Sequence, residues 1–242
     1  MDLLEYGYSR DNPDLPQLNL SMIVDKKRGI PVMYDVYPGS IVDVSTLKNT
    51  ISKIESFGVK EYTLILDRGF FSEDNIEELV GDTNLSFVIP GSLSLKKVKE
   101  LMTQAKKDID HPKYLCKFNK NPLFVKPVSL TLDNDESVEG YCYYDPKREQ
   151  SERNLFYNRL YDTRENIEKK KILKWMKPFS VFNQRAGKLQ KYYSWKVKDN
   201  YFKVTIRKNA VMQRMNKMGK FILFYRGDTD WKECLITYRQ KD

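Results

Sequence analysis

A chain of 242 residues is long enough to bury one large core or two modest ones, and its 16 Tyr and 12 Phe argue against a disordered polypeptide. Lys and Arg number 42 against 33 Asp and Glu, a formal charge of +9, so a polyanion such as nucleic acid is an expected partner. Cys116, Cys142 and Cys234 lie far apart without a CxxC pair and His111 is the one histidine, a pattern that argues against a disulfide scaffold, a zinc site and most histidine-based chemistry.

Residues 17–25 alternate and then run apolar, as a strand does. Residues 26–29 are a polar turn and 30–37 a second strand, so the pair is expected to form a hairpin, stopped by Pro38-Gly39. Asp43 or Ser45 can cap a helix in which Leu47, Ile51 and Ile54 recur at helical spacing to Phe57, with Gly58 as terminator. Residues 61–66 form a short apolar strand ending at Asp67. Ser72 then caps a helix with Glu73, Asp74, Glu77 and Glu78 in its early turns and Ile76, Leu79 and Val80 on its buried face. Residues 85–89 are a buried strand closed by Pro90-Gly91. A hairpin followed by β-α-β alternation predicts a mixed sheet with helices packed on it.

Residues 94–108 form a basic amphipathic helix with Leu95, Val98, Leu101, Met102 and Ala105 on one face. Short strands are expected within 113–145, then a charge-dense helical stretch over 147–176 with apolar Leu155, Phe156, Leu160, Ile167 and Ile172. Residues 191–206 return to strand, and 219–224 form another. Asp228 or Thr229 caps a last helix carrying Trp231, Cys234, Leu235 and Tyr238, whose pattern runs to Asp242 without a stop signal.

Chemistry centres on Asp67, because ligand sites in open α/β sheets form at the carboxyl ends of strands. A partly desolvated carboxylate there needs a partner, and two remain open: an ion pair with Arg68, or a divalent metal. Metal-assisted phosphoryl transfer would require two more carboxylates from other elements. Asp43 reads as a helix cap, Asp25 as a turn residue, and Asp133, Asp135 and Glu136 as a solvated loop. Lys96-Lys97, Lys169-Lys170-Lys171 and Arg207-Lys208 are candidate DNA contacts or solvated faces. No glycine-rich phosphate loop, GxSxG or HExxH motif occurs, and residues 1–19 are charged and polar. No apolar run reaches membrane-spanning length, so the expectation is an intracellular protein without a membrane partner.

The order of motifs adds a resemblance. Tyr6-Gly7-Tyr8-Ser9-Arg10-Asp11, Asp14-Leu15-Pro16-Gln17-Leu18-Asn19-Leu20, Val24-Asp25, Gly29-Ile30-Pro31, Gly39-x-x-x-Asp43, Asp67-Arg68-Gly69-Phe70 and Phe87-Val88-Ile89-Pro90 follow one another, with Tyr238-Arg239-Gln240-Lys241 at the end. Together they resemble the cores of transposases of prokaryotic insertion sequences, in the insertion-sequence-4-like group. The resemblance implies an α/β, ribonuclease-H-like mixed sheet with flanking helices, in which two aspartates and a glutamate bind two magnesium ions. Asp67 matches the second aspartate. The first strand with its aspartate would lie upstream of Tyr6, the glutamate would lie three residues past the end, and Ser40 stands where the family usually has asparagine.

The resemblance further implies a division into residues 1–90 (partial core, missing its first strand), 91–220 (a strand-rich α+β insertion) and 221–242 (the start of the late helix). On this reading the chain is truncated at both ends and retains Asp67 without its two partners. Implied partners are DNA at transposon ends and a second copy or full-length transposase, in the prokaryotic cytoplasm at the nucleoid. Two functions follow: strand cleavage and transfer, expected to be inactive in this chain, or a non-catalytic product that binds DNA or pairs with an intact transposase.

Overall fold

The computed structural model describes residues 18–25, 28, 30–38, 43–59, 62–81 and 85–239. Leu18–Asp25 (β1) and Ile30–Pro38 (β2) pair antiparallel as the predicted hairpin, with a register shift between Ile23 and Val24. Asp43–Ser56 (α1) buries Leu47, Ile51 and Ile54, and Gly58 follows it at φ +75°, a left-handed conformation that disfavours side chains. Tyr62–Ile65 (β3), Glu73–Gly81 (α2) and Leu85–Pro90 (β4) form the β-α-β unit, with β3 and β4 parallel and Leu64 opposite Phe87.

Lys96–Ala105 (α3) precedes three strands, Leu115–Phe118 (β5), Asn121–Thr131 (β6) and Ser137–Tyr144 (β7). Pro146–Glu168 (α4), Pro178–Ala186 (α5), Tyr193–Lys198 (β8), Tyr201–Ile206 (β9) and Lys208–Met215 (α6) follow. Lys220–Arg226 (β10) and Trp231–Arg239 (α7) complete the described chain. Among these residues no helix is long and apolar enough to cross a membrane.

The predicted mixed sheet is present, in the order β3-β4-β10-β7-β6-β5, with β10 antiparallel to β4. The hairpin was expected to belong to it but is a separate two-stranded sheet. Alternation tells a residue which face it occupies; it does not choose the neighbouring strand. The helix expected over 147–176 ends at Glu168, because Ile172 donates its N–H to Asn200 O at 2.7 Å and Lys171 bridges Tyr201. Strand-type bonds there replace helical ones. Leu155, expected on the apolar face, is exposed, whereas Phe156 is buried. The last helix is capped by Asp230 rather than Asp228 or Thr229: its carboxylate accepts the Glu233 N–H at 2.8 Å. Two helices, α5 and α6, have no counterpart in the sequence reading.

Two compact units divide the chain. The first takes the described residues up to Lys107, Pro127–Tyr141 and those from Ile222 onward. Its Ile76, Leu79, Phe87, Ile89, Leu223 and Phe224 are completely buried. Gly91 donates its N–H to Ile222 O at 2.9 Å, and a Cβ there would meet Phe224 Cε2 at 2.8 Å, so no side chain fits without movement. The second unit comprises Asp108–Lys126 and Cys142–Phe221. Its core gathers Phe156, Leu160 and Ile167 of α4, Phe182 of α5, Tyr193 and Phe202 of the β8–β9 hairpin, and Val211 and Met215 of α6.

Candidate active site around Asp67

The strand β3 delivers Asp67 just past its carboxyl end: Leu66 N–H still donates to Val88 O at 3.0 Å, and the next residue leaves the sheet. Asp67 is exposed, with extended backbone at φ −86° and ψ 164°. Its Oδ1 accepts the Arg68 N–H at 2.7 Å and so caps the single 3-10 turn Arg68–Phe70, while Phe70 N–H returns to Asp67 O at 3.1 Å. A carboxylate bonded to its own turn is held in one orientation, as a binding or catalytic group requires.

Two buried residues clamp that turn, and neither was singled out from the sequence. Phe71 packs against Phe224 with ring centroids 5.2 Å apart. Asn75, only 2% exposed, donates Nδ2 to Phe70 O at 2.8 Å. The signal for Asn75 was a polar residue four positions before Leu79, on the stripe that α2 buries. Ser72 caps this helix as predicted, its Oγ accepting the Asn75 N–H at 3.3 Å.

Acidic groups flank α2. Glu55, Asp74, Glu77 and Glu78, with Ile51, Ser52 and Gly81, line a cavity of about 660 Å³, and Asp67 is not part of it. The neighbouring Asp133 carboxyl raises the pKa of Glu73, with burial adding to the effect. Lys97 stands between these two, 2.5 Å from Asp133 and 3.8 Å from Glu73. Among the described residues no group of three His, Cys, Asp or Glu is placed to hold a metal. Asp67 by itself does not fit a two-metal centre, which draws carboxylates from several elements.

The basic candidates fall into both units. Lys96 extends into solvent with Glu100 at 4.0 Å, whereas Lys97 is tied to the carboxylates just described. Lys169 pairs with Glu165 at 2.8 Å, Lys170 is half-buried, and Lys171 sits beside Tyr201. Arg207 and Lys208 are exposed at the other end of β9, where Arg207 N–H donates to Tyr192 O at 2.8 Å. The charge itself is unevenly divided. The second unit carries 25 Lys and Arg against nine Asp and Glu, a formal +16; of the chain's 42 and 33, this leaves 17 against 24 in the first unit. His111 is an exposed loop residue whose Nδ1 accepts the Lys113 N–H at 3.2 Å, in keeping with its sequence context.

The family model described as "Transposase DDE domain" matches residues 4–190. The chain belongs to the transposase DDE domain family. No curated protein and no solved structure matches it. The matched part of this transposase chain contains Asp67, its clamped turn and the lysines from Lys96 to Lys171, while Arg207, Lys208, β10 and α7 lie beyond the match. Transposases of this family act on DNA, typically with a divalent metal.

Proposed function

We propose that this chain is the central part of a prokaryotic DNA transposase of the insertion-sequence-4-like group, with a ribonuclease-H-like core. The observation that carries this reading is Asp67, an oriented carboxylate at the carboxyl end of a strand in a mixed sheet of a transposase-family chain. Residues 1–90 then belong to the core, 91–220 to an insertion and 221–242 to the start of the late core helix, α7, which follows β10. Among the described residues β3 is an edge strand of the six-stranded sheet, which supports a further strand beyond it. Leu64 and Ile65 are apolar but only half-buried, and the β1–β2 hairpin forms a sheet of its own. A strand from outside the described residues, paired to β3, would complete the sheet and supply the first aspartate.

Taken alone, the chain is catalytically inactive, because among the described residues no two further carboxylates join Asp67 to position two magnesium ions. It acts instead by holding DNA such as transposon ends, or by pairing with a second copy or an intact transposase at the nucleoid. The formal +16 of the second unit favours the DNA-holding role, with Lys96, Lys169, Lys170, Lys171, Arg207 and Lys208 as candidate contacts and Lys97 the most engaged by carboxylates. The test is incubation of the purified chain with duplex DNA and magnesium. No cleavage is expected; magnesium-dependent cleavage that disappears in Asp67→Asn would refute inactivity and confirm the carboxylate.

A further inference from the structure

The β8–β9 hairpin closes through Asp199 and Asn200 at φ +52° and +63°, the double left-handed turn that suits strand twist. Its register sets Trp195 opposite Val204 and Val197 opposite Phe202, and this face supplies Val204 and Phe202 to the core. Side chains alternate along a strand, so the other face carries Ser194, Lys196 and Lys198 of β8 with Tyr201, Lys203 and Thr205 of β9, and all six are exposed. Lys196 lies directly opposite Lys203. Lys171 bridges Tyr201 from the far side, so Lys198, Tyr201 and Lys171 form one row across three segments.

Four lysines, Lys171, Lys196, Lys198 and Lys203, therefore share one exposed face. Among the described residues none of them has a carboxylate within ion-pair distance. The nearby acids are otherwise placed: Asp199 sits at the turn, and Glu168 is held by Arg164 at 3.3 Å and by the Val204 N–H at 3.0 Å. Like charges directly opposite one another destabilise a strand pair, so the Lys196–Lys203 pair costs the free hairpin stability. A polyanion lying over the face would reverse that sign.

We propose that the outer face of the β8–β9 ribbon, extended by Lys171, is the docking surface for duplex DNA. A two-stranded ribbon fits the major groove, where the lysines would reach the flanking phosphates. The identity of the partner rests on the transposase reading; the choice of surface does not.

The experiment measures binding of a fluorescent duplex by anisotropy between about 50 and 200 mM salt. It compares the unaltered chain, the triple variant Lys196→Ala, Lys198→Ala, Lys203→Ala, and a control, Lys99→Ala, Lys106→Ala, Lys107→Ala, which removes the same charge from the first unit. The ribbon variant should lose on the order of 100-fold in affinity at 0.1 M salt, with the log–log salt slope shallower by about 2.7 for three phosphate contacts. The control should lose far less. Melting of the ribbon variant should be unchanged or raised, since a repulsive pair is gone. Equal losses in both variants, or an unaffected ribbon variant, would overturn the docking surface and leave the transposase reading standing. Failure of the unaltered chain to bind duplex even at the lowest salt would overturn the DNA-holding role together with the surface.

Discussion

Replacing Asn75 tests whether the turn that orients Asp67 is clamped from below. Its carboxamide is 2% exposed and donates to Phe70 O at 2.8 Å. A typical hydrogen bond contributes about 0.5–1.5 kcal/mol net, and a buried partner left unsatisfied costs about 1–3 kcal/mol. Asn75→Ala should therefore destabilise the turn by about 2 kcal/mol, a sizeable part of the 5–15 kcal/mol typical of a domain. Native-state hydrogen exchange reads this locally: the Phe70 and Phe71 amides, bonded to Asp67 O and Arg68 O, should exchange about 30-fold faster. Asn75→Asp sharpens the test, because a buried carboxylate keeps the shape but cannot donate. Burial raises that acid's folded pKa above its unfolded value of about 3.9, so the penalty is absent at lower pH and grows as pH rises toward the folded pKa. The Asp variant should thus resemble the native chain near pH 4 and exceed the Ala variant's defect at pH 7. Native-like exchange at Phe70 and Phe71 in Asn75→Ala would refute the clamp.

Gly91→Ala drives a methyl against Phe224 Cε2 at 2.8 Å and Val98 Cγ1 at 3.1 Å, and should cost about 1–3 kcal/mol by urea unfolding of the first unit. Glu149 accepts the Tyr144 O–H at 2.5 Å and Arg153 Nη2 at 2.7 Å, with Lys220 Nζ at 4.0 Å. Burial works to raise its pKa, but these partners together hold it below the ordinary 4.5. Its stabilisation is therefore complete above pH 4.5 and fades as pH falls through the lower folded value, and Glu149→Gln should flatten the acid limb of the second unit's stability profile. An unchanged acid limb would contradict the network. Burial pushes the Cys142 thiol up to about 12 and raises Cys116 as well, while Cys142 and Cys234 are completely shielded and Cys116 is half-buried. A thiol reagent at pH 8 should reach Cys116 first and the other two only on unfolding; equal rates at all three would count against the packing.

Much of the local structure was legible because it depends on near neighbours. The hairpin at 18–38, the helix through Leu47, Ile51 and Ile54, the Ser72 cap and the α7 stripe all follow from periodicity and capping. The Asp199-Asn200 turn is also written in the residue types, since both tolerate positive φ, although it divides the stretch 191–206 whose apolar pattern predicts strand throughout. Failures came where distant segments compete for the same residues. Nothing local marks Glu168 as a helix end; the bond from Ile172 N–H to Asn200 O does, across 28 positions. The α5 helix begins at Pro178 after a lysine-rich stretch whose charge masks its apolar Phe182.

The sequence by itself determined the motif order, the excess of positive charge and the position of Asp67 at the end of a strand. Those are properties of residue type and short-range spacing. Tertiary structure alone decided that the positive charge gathers in one unit, that Asn75 and Phe71 clamp the Asp67 turn, and that the β1–β2 hairpin stands as its own sheet. It also put Lys171 in line with Lys198. The physical reason is common to all four. Periodicity fixes which way a side chain faces, whereas its neighbour is chosen by long-range pairing that no local pattern encodes.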